Sequence, residues 1–581
     1  MRHETIRKPS LSELPVAPNL RDWAAERKSF SWEAIEKECR GLPGGGLNKG
    51  FECIDRHVLE GRGGKTALRW ESKEGRLETF TFAQAMEATD RIGSLLRGLG
   101  VARGDRVFVF LERVPELYWT VFGALKAGGV AGPLFSAFGP EAIRDRLADS
   151  EAKVLVTSTT LLDRVRPIRG ELPALEHVLV LNRAGLPFTP APGERSFEEA
   201  YAKASAKFEV EKTGPEDFSV MHYTSGTTGK PKGAVHWHRA ILGQRWTARI
   251  CLDLHADDVY WCTADPGWVT GTSYGMFGPW SLGVTQVVYE GPFDAAKWYG
   301  VLERHRVTVW YTAPTAIRML MKAGKEAASK FDLGRVRFCA SVGEPLNPEA
   351  ILWARDGLSK TFHDNWWQTE TGCIQISNYA AMDVRPGSMG RPIPGTEAAV
   401  IDASGKELPP GQEGDLALKP GWPSMFRTYW RKKDLYDSRF RSGWYITGDR
   451  AWKDEEGYFW FVGRADDVIK TAGHLVGPFE VESALVEHPA VAEAAVIGKP
   501  DPERYEIIKA FISLRAGFAP SGTLKTEIAD FVRKRLAAHA YPREIEFLPT
   551  LPKTRSGKIM RRLLKARELG LPEGDTSTLE D

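Results

Sequence analysis

RVFVFL (106–111), PELYWTVFGALKAG (115–128), AKVLVTS (152–158) and HVLVL (177–181) decide the fold class. Short β-branched and aromatic runs alternate here with a helical stretch, and parallel strands need such crossover segments between them, so layered α/β structure is expected. The alternation continues through TQVVYE (285–290) and VTVWYT (307–312) to about residue 400. Residues 397–465 change character: short strands joined by PPGQEGD and DEEGYFWFVG predict a small β-rich subdomain. Beyond GRADD (463–467) the pattern predicts a helix over 478–488, strands over 491–498 and 508–514, a helix over 523–538, a strand over 543–548 and a basic final helix. Residues 1–50 are polar and punctuated by Pro and Gly, as a segment wrapping a surface would be, and residues 571–581 have the composition of a disordered acidic tail.

Bulk properties narrow the function. A chain of 581 residues is too long for one ordinary domain. Lys and Arg number 78 against 76 Asp and Glu, a net charge of +2 that gives no footprint for nucleic acid or an anionic membrane. The N-terminus lacks an apolar stretch behind its basic residues, and no apolar run approaches the ~18 residues a membrane span needs. The six cysteines are scattered without CxxC spacing, as free thiols in a reducing compartment are. A cytoplasmic enzyme acting on small molecules is expected.

MHYTSGTTGKPKGAVH (221–236) carries the most chemistry. FSVMHY reads as a strand and the run from His236 to Ile250 as a helix; between them lie Thr224, Ser225, Gly226, Thr227, Thr228, Gly229, Lys230, Lys232 and Gly233. Glycines let the backbone approach closely, hydroxyls donate hydrogen bonds and lysines add charge, which together suit a polyphosphate. A Walker loop needs Ser or Thr after Gly-Lys, and Pro231 follows here. Three further stretches accompany the loop: DNWWQTETG (364–372), YITGDRAWKDEEGYFWFVGRADD (445–467) and LPKTRSGKIMRR (551–562).

In this order and spacing the four stretches resemble the acyl-adenylate-forming superfamily of acyl-CoA synthetases, luciferases and peptide-synthetase adenylation domains. The similarity runs from about residue 48 to Lys565 and is greatest to acetyl-CoA synthetase-like enzymes. It implies a large N-terminal domain (51–465) of layered α/β subdomains with its β-rich subdomain (397–465), hinged at Asp466 to a small, mobile C-terminal α/β domain (466–570). The implied reaction consumes ATP, with Mg²⁺, and a small acid, forms an acyl-adenylate, and passes the acyl group to coenzyme A. By the same resemblance Asp364, Asn365 and Trp366 lie by the adenine with Gly343, Glu344 and Pro345, and Gln368 belongs to the nucleotide site. Thr369 faces the α-phosphate, Glu370 holds Mg²⁺, and Asp449 and Arg464 bind the ribose hydroxyls. Lys558 matches the catalytic lysine, where a cation offsets the repulsion between a carboxylate and the phosphate it attacks. Gly473, in KTAGHLVGPFE (470–480), leaves room for the pantetheine arm, and Arg533 is placed for a contact to the CoA nucleotide.

Three segments bear on the acid. WCTADPGWVTGTSYG (261–275) supplies Trp268, Val269 and Thr270, SVGEPLNPEA (341–350) supplies Val342, and Trp367 matches the bulky residue that closes the pocket floor. Acetate is expected to be favoured and propionate tolerated. Departures from the family pattern are Pro266 and Thr272, where valine and histidine are usual, and Leu475, where an arginine that pairs with phosphate is usual. The last suggests weaker ATP or pyrophosphate binding and a reaction run from acetyl-CoA toward ATP. Acylation of Lys558, in a loop that reads as exposed, would remove the charge that adenylation needs, making a lysine acyltransferase and deacylase expected partners.

Overall fold

The computed structural model describes the chain apart from residues 1–2, 225–230, 472–473, 537–538, 555–557, 575, 577–578 and 580–581. Among the described residues the strands form sheets of 14, 8 and 5. The runs that announced parallel layers are strands Arg106–Phe110, Val154–Ser158 and His177–Leu181, with helix Pro115–Lys126 between the first two. They pair in parallel within the 8-stranded sheet, beside Val130–Pro133 and Phe218–Thr224. Pro at the first turn starts the helix where a missing N–H costs nothing, and Leu117, Val121, Phe122 and Leu125 are wholly buried on it.

The 14-stranded sheet has a parallel centre, running Thr66–Glu71, Thr285–Tyr289, Val259–Cys262, Val309–Thr312, Phe338–Ser341 and Phe362–Trp366. The antiparallel strands of the β-rich region, Ala398–Ile401, Gly414–Leu418, Trp444–Lys453 and Phe459–Arg464, continue this same sheet. The link is Ser388–Pro392, which pairs with Phe459–Arg464 on one side and Ile376–Ser377 on the other. The N-terminal segment lies over this link: the indoles of Trp23 and Trp32 donate to the carbonyls of Pro392 and Gly395 at 2.8 and 3.0 Å.

The third sheet is built on a long hairpin, Val491–Asp501 against Tyr505–Leu514, with Glu544–Phe547 parallel to its second strand. Helices Pro478–Val486, Gly522–Arg535 and Arg561–Leu569 accompany it. Ile469–Thr471 pairs antiparallel with His474–Val476 within KTAGHLVGPFE.

One expectation is corrected. Lys232–Trp237 is a strand, antiparallel to Phe218–Thr224 with Thr224 opposite Lys232, and the α-helix starts only at Ile241. The segments flanking 225–231 are thus two antiparallel strands rather than a strand and a helix. Burial and pairing explain the difference: Ala234, Val235 and His236 are all buried, and a helix beginning at His236 would give up the ladder positions of His236 and Trp237 opposite Val220 and Phe218.

Candidate functional site

The large sheets deliver their carboxyl-terminal strand ends to one cleft of about 2130 Å³, the position where parallel α/β sheets bind ligands. Strand Phe338–Ser341 runs out into Val342, Gly343, Glu344 and Pro345, and strand Phe362–Trp366 brings Asp364, Asn365 and Trp366 and leads on to Trp367, Gln368, Thr369 and Glu370, all of which line it. Thr224, at the end of its strand, lines it too, whereas Ser225, Gly226, Thr227, Thr228, Gly229 and Lys230 lie outside the described residues.

Asp449 and Arg464 are directly opposite each other on neighbouring antiparallel strands, and an Arg464 N–H donates to Asp449 Oδ1 at 3.1 Å. The other carboxylate oxygen accepts from the Trp366 indole at 2.9 Å and from Gln368 at 3.0 Å. Burial raises the Asp449 pKa, and Arg464 and these donors work against the rise. Asp364 is buried, which pushes its pKa well above the usual carboxylate range; its Oδ1 and the neighbouring Asn365 Nδ2 have no hydrogen-bond partner among the described residues. Tyr311 donates to the amide oxygen of Asn365 at 2.9 Å and fixes its orientation. A free acceptor beside a free donor on one strand end suits the edge of a nucleobase.

Glu370 accepts from the Tyr429 hydroxyl at 2.7 Å through one oxygen, and the Thr369 carbonyl accepts from His236 at 2.8 Å. The remaining lone pairs of Glu370 fit Mg²⁺, which takes one or two carboxylates alongside phosphate oxygens. Glu344 is held by Thr315 and by Arg318 at 2.7 Å, and these partners keep its carboxyl below the usual range despite burial.

Lys558, from the C-terminal part of the chain, lines the same cleft. Its ammonium meets the cavity yet has protein all around it, and this enclosure is the main cause of a lowered pKa. Glu344 opposes the lowering, and Arg464 and Arg561 add to it. The backbone N–H of Lys558 donates to Thr554 Oγ1 at 3.1 Å. Asp466, two residues beyond strand Phe459–Arg464, also borders the cleft, 3.9 Å from Arg464.

Trp268, Val269, Thr270, Val342 and Trp367, expected on the acid side, line the cleft together. Trp268 packs on Phe135 and Phe138 with ring centroids 5.6 and 6.1 Å apart, and Trp367 meets Tyr274 edge-on at 5.2 Å.

A family model described as AMP-binding enzyme matches residues 55–430, and one described as AMP-binding enzyme C-terminal domain matches residues 480–558. The chain belongs to the AMP-binding enzyme family. It is 54% identical over 565 residues to an acetyl-coenzyme A synthetase of Bacillus subtilis, covering 97% of this chain and 98% of that one. It is 42% identical to an acetyl-coenzyme A synthetase of Methanothrix thermoacetophila, covering 92% and 85%. Among solved structures, an acyl-CoA synthetase of Brucella canis matches with TM-score 0.74 and 39% identity over 95% of this chain and 99% of that one. An anthranilate CoA ligase in complex with anthranoyl-AMP matches with TM-score 0.83 and 32% identity over 93% and 99%.

Two positions of this AMP-binding enzyme fall away from the cleft. Arg533 is not part of its lining and lies over the Tyr541 ring at 5.6 Å. Leu475 is 47% exposed on a hairpin strand that does not line the cleft occupied by Lys558. Gly473 lies outside the described residues. Three further residues line the cleft beside partners that only the fold brings near: His222, Arg318, and Arg439, which lies near Glu370 and Tyr429. No local pattern marks them.

Proposed function

We propose that the enzyme is an AMP-forming acetate–CoA ligase. The observation that carries this reading is the presence of Lys558 in one cleft with Asp449, Thr369 and Glu370 on the nucleotide side and Trp367, Val269 and Thr270 on the acid side. The curated relatives named above support acetate as the acid.

In the first step an acetate oxygen attacks the α-phosphorus of ATP, and pyrophosphate leaves. Both reactants are anionic, so the approach needs positive charge: at an effective dielectric of 20 and about 4 Å, one lysine contributes roughly 4 kcal/mol of attraction. Lys558 supplies it, with Thr369 donating to the phosphate. Asp449 accepts from the ribose hydroxyls, and Asp364 and Asn365 meet the adenine. Mg²⁺, held by Glu370, would neutralise phosphate charge. In the second step the coenzyme A sulfur, losing its proton, attacks the acetyl carbonyl and AMP leaves. The part of the chain after Asp466 turns between the steps, exchanging Lys558 for the 470–480 segment.

Trp367 limits the acid to two or three carbons. A longer chain gains about 0.8 kcal/mol per buried methylene, but here each must displace an indole packed on Tyr274, at about 1–3 kcal/mol. Acylation of Lys558 by an acyltransferase would cancel its charge and stop the first step alone.

ATP–pyrophosphate exchange over a panel of acids, with and without coenzyme A, tests the reading. Acetate should give the fastest exchange, propionate a slower one, and coenzyme A should convert the adenylate to the thioester. Exchange with no acid, or fastest with acids beyond three carbons, overturns it. Lys558→Ala should abolish exchange while still turning added acetyl-adenylate and coenzyme A into acetyl-CoA.

A further inference from the structure

The acid side rests on a turn, Val269–Thr272, whose backbone is tightly packed: a Cβ on Gly271 would stand 2.2 Å from the carbonyl oxygen of Asp265. Two side-chain bonds pin this turn to the nucleotide side. At one end the Thr272 hydroxyl donates to the Val269 carbonyl at 3.0 Å and stands 2.7 Å from His222 Nε2. A hydroxyl has a single proton, so with Thr272 donating to Val269 the imidazole must donate through Nε2–H. His222 lies on strand Phe218–Thr224, two residues before the strand reaches the phosphate loop, and borders the cleft. At the next residue Ser273 Oγ donates to the Gly372 carbonyl at 3.2 Å and accepts from Gln244 at 3.1 Å, tying the same end of the turn to the close of the 364–372 stretch.

His222 and Thr272 are 3% and 1% exposed, so neither finds water if the other is removed. Burial, with His236 and Lys49 nearby, pushes the His222 pKa down to about 3, which keeps the ring neutral with one donor and one acceptor nitrogen.

We infer that His222 is a positioning residue for the acid subsite: its hydrogen bond to Thr272 sets the turn bearing Val269 and Thr270 at a fixed distance from the phosphate-loop strand. The inference deepens the acetate reading, since it names what holds the acid wall where the α-phosphate can meet the carboxylate. The bond joins the element that holds the acid to the element that holds the phosphates, so its loss misplaces one reactant relative to the other.

The test compares His222→Leu, Thr272→Val and the double variant in ATP–pyrophosphate exchange, with melting midpoints as the check on folding. Each single variant should raise the KM for the acid about tenfold, the cost of stranding one buried polar group, and should narrow the preference for acetate over propionate. The KM for ATP should move less. The double variant should be no worse than either single, because both delete the same bond. His222→Asn, which keeps a donor, should recover part of the loss. An unchanged acid KM and acid preference in folded single variants overturns the inference, as does a double variant whose losses add. Thr272→Val changes only the hydroxyl and carries the test should His222→Leu not fold. If wild-type exchange is fastest with another acid, the acetate reading fails, and the same variants assayed with that acid still decide the role of His222.

Discussion

In the proposed acetate ligase the indole of Trp367 closes the acid pocket. It is 9% exposed, meets Tyr274 edge-on, and shares the cleft wall with Val269 and Val342. Tyr274 is itself anchored, its hydroxyl accepting from the Ile374 N–H at 2.7 Å and bonded to Thr247 at 2.6 Å, so the indole has no soft neighbour to push aside. Trp367→Gly should therefore shift the preference in an acid panel toward chains of four carbons or more. It should also lower the stability to urea by about 3–5 kcal/mol, the usual cost of truncating a large buried aromatic ring. Unchanged acetate preference in a folded variant would mean that another group sets the depth of the pocket.

At the scale of elements, the cleft depends on paired strands more than on any loop. Asp449 and Arg464 meet because Trp444–Lys453 and Phe459–Arg464 are in a register that puts them opposite each other, and the Trp366 indole and Gln368 converge on the same carboxylate from the adjoining segment. Asp449→Ala strands the indole N–H, while Gln368 loses one bond and keeps those to the Thr447 carbonyl and the Tyr445 hydroxyl. A loss of about 1–3 kcal/mol in urea denaturation is expected, together with a rise in the KM for ATP that exceeds any rise for acetate. Equal rises for both substrates would argue against a role confined to the nucleotide. These strands could be read in the sequence because the motif YITGDR and GRADD mark their ends and turn residues separate them. Strand Lys232–Trp237 could not: GAVHW is a short apolar run next to a true helix, and periodicity over so few residues does not separate the two conformations. His222 escaped for a different reason. Its partner is fifty residues away, and only the fold brings the strand and the turn together.

At the scale of the molecule, the position of Lys558 depends on how the C-terminal part sits against the rest. Asn347 donates to Ser483 Oγ at 2.9 Å across this contact. Close by, Glu349, in the first turn of helix Pro348–Leu358, faces Glu487, just after helix Pro478–Val486. His3 approaches the two carboxylates at 3.7 and 3.8 Å, and Arg535 of helix Gly522–Arg535 pairs with Glu487 at 2.5 Å. Burial first, and then the like charge and hydrogen bond of Glu487, push the Glu349 pKa up to about 8 against 4.5 for a free glutamate, while Arg535 works the other way. Burial also lowers the His3 pKa, so the imidazole adds little positive charge at neutral pH. A protonated Glu349 can donate to Glu487, and an ionised one repels it. Because the folded-state pKa is the higher one, this stabilisation is complete below about pH 4.5 and is lost as the pH rises through about 8. The contact that seats Lys558 should accordingly loosen between pH 6 and pH 9. Energy transfer between dyes placed on the exposed surfaces of the two parts should fall over that range in the wild-type enzyme. Glu349→Gln carries a neutral donor at every pH and should hold the signal level. If the two proteins follow the same curve, the carboxyl pair is not what couples the arrangement to pH, and the Asn347–Ser483 bond and the surrounding packing must hold the seat alone.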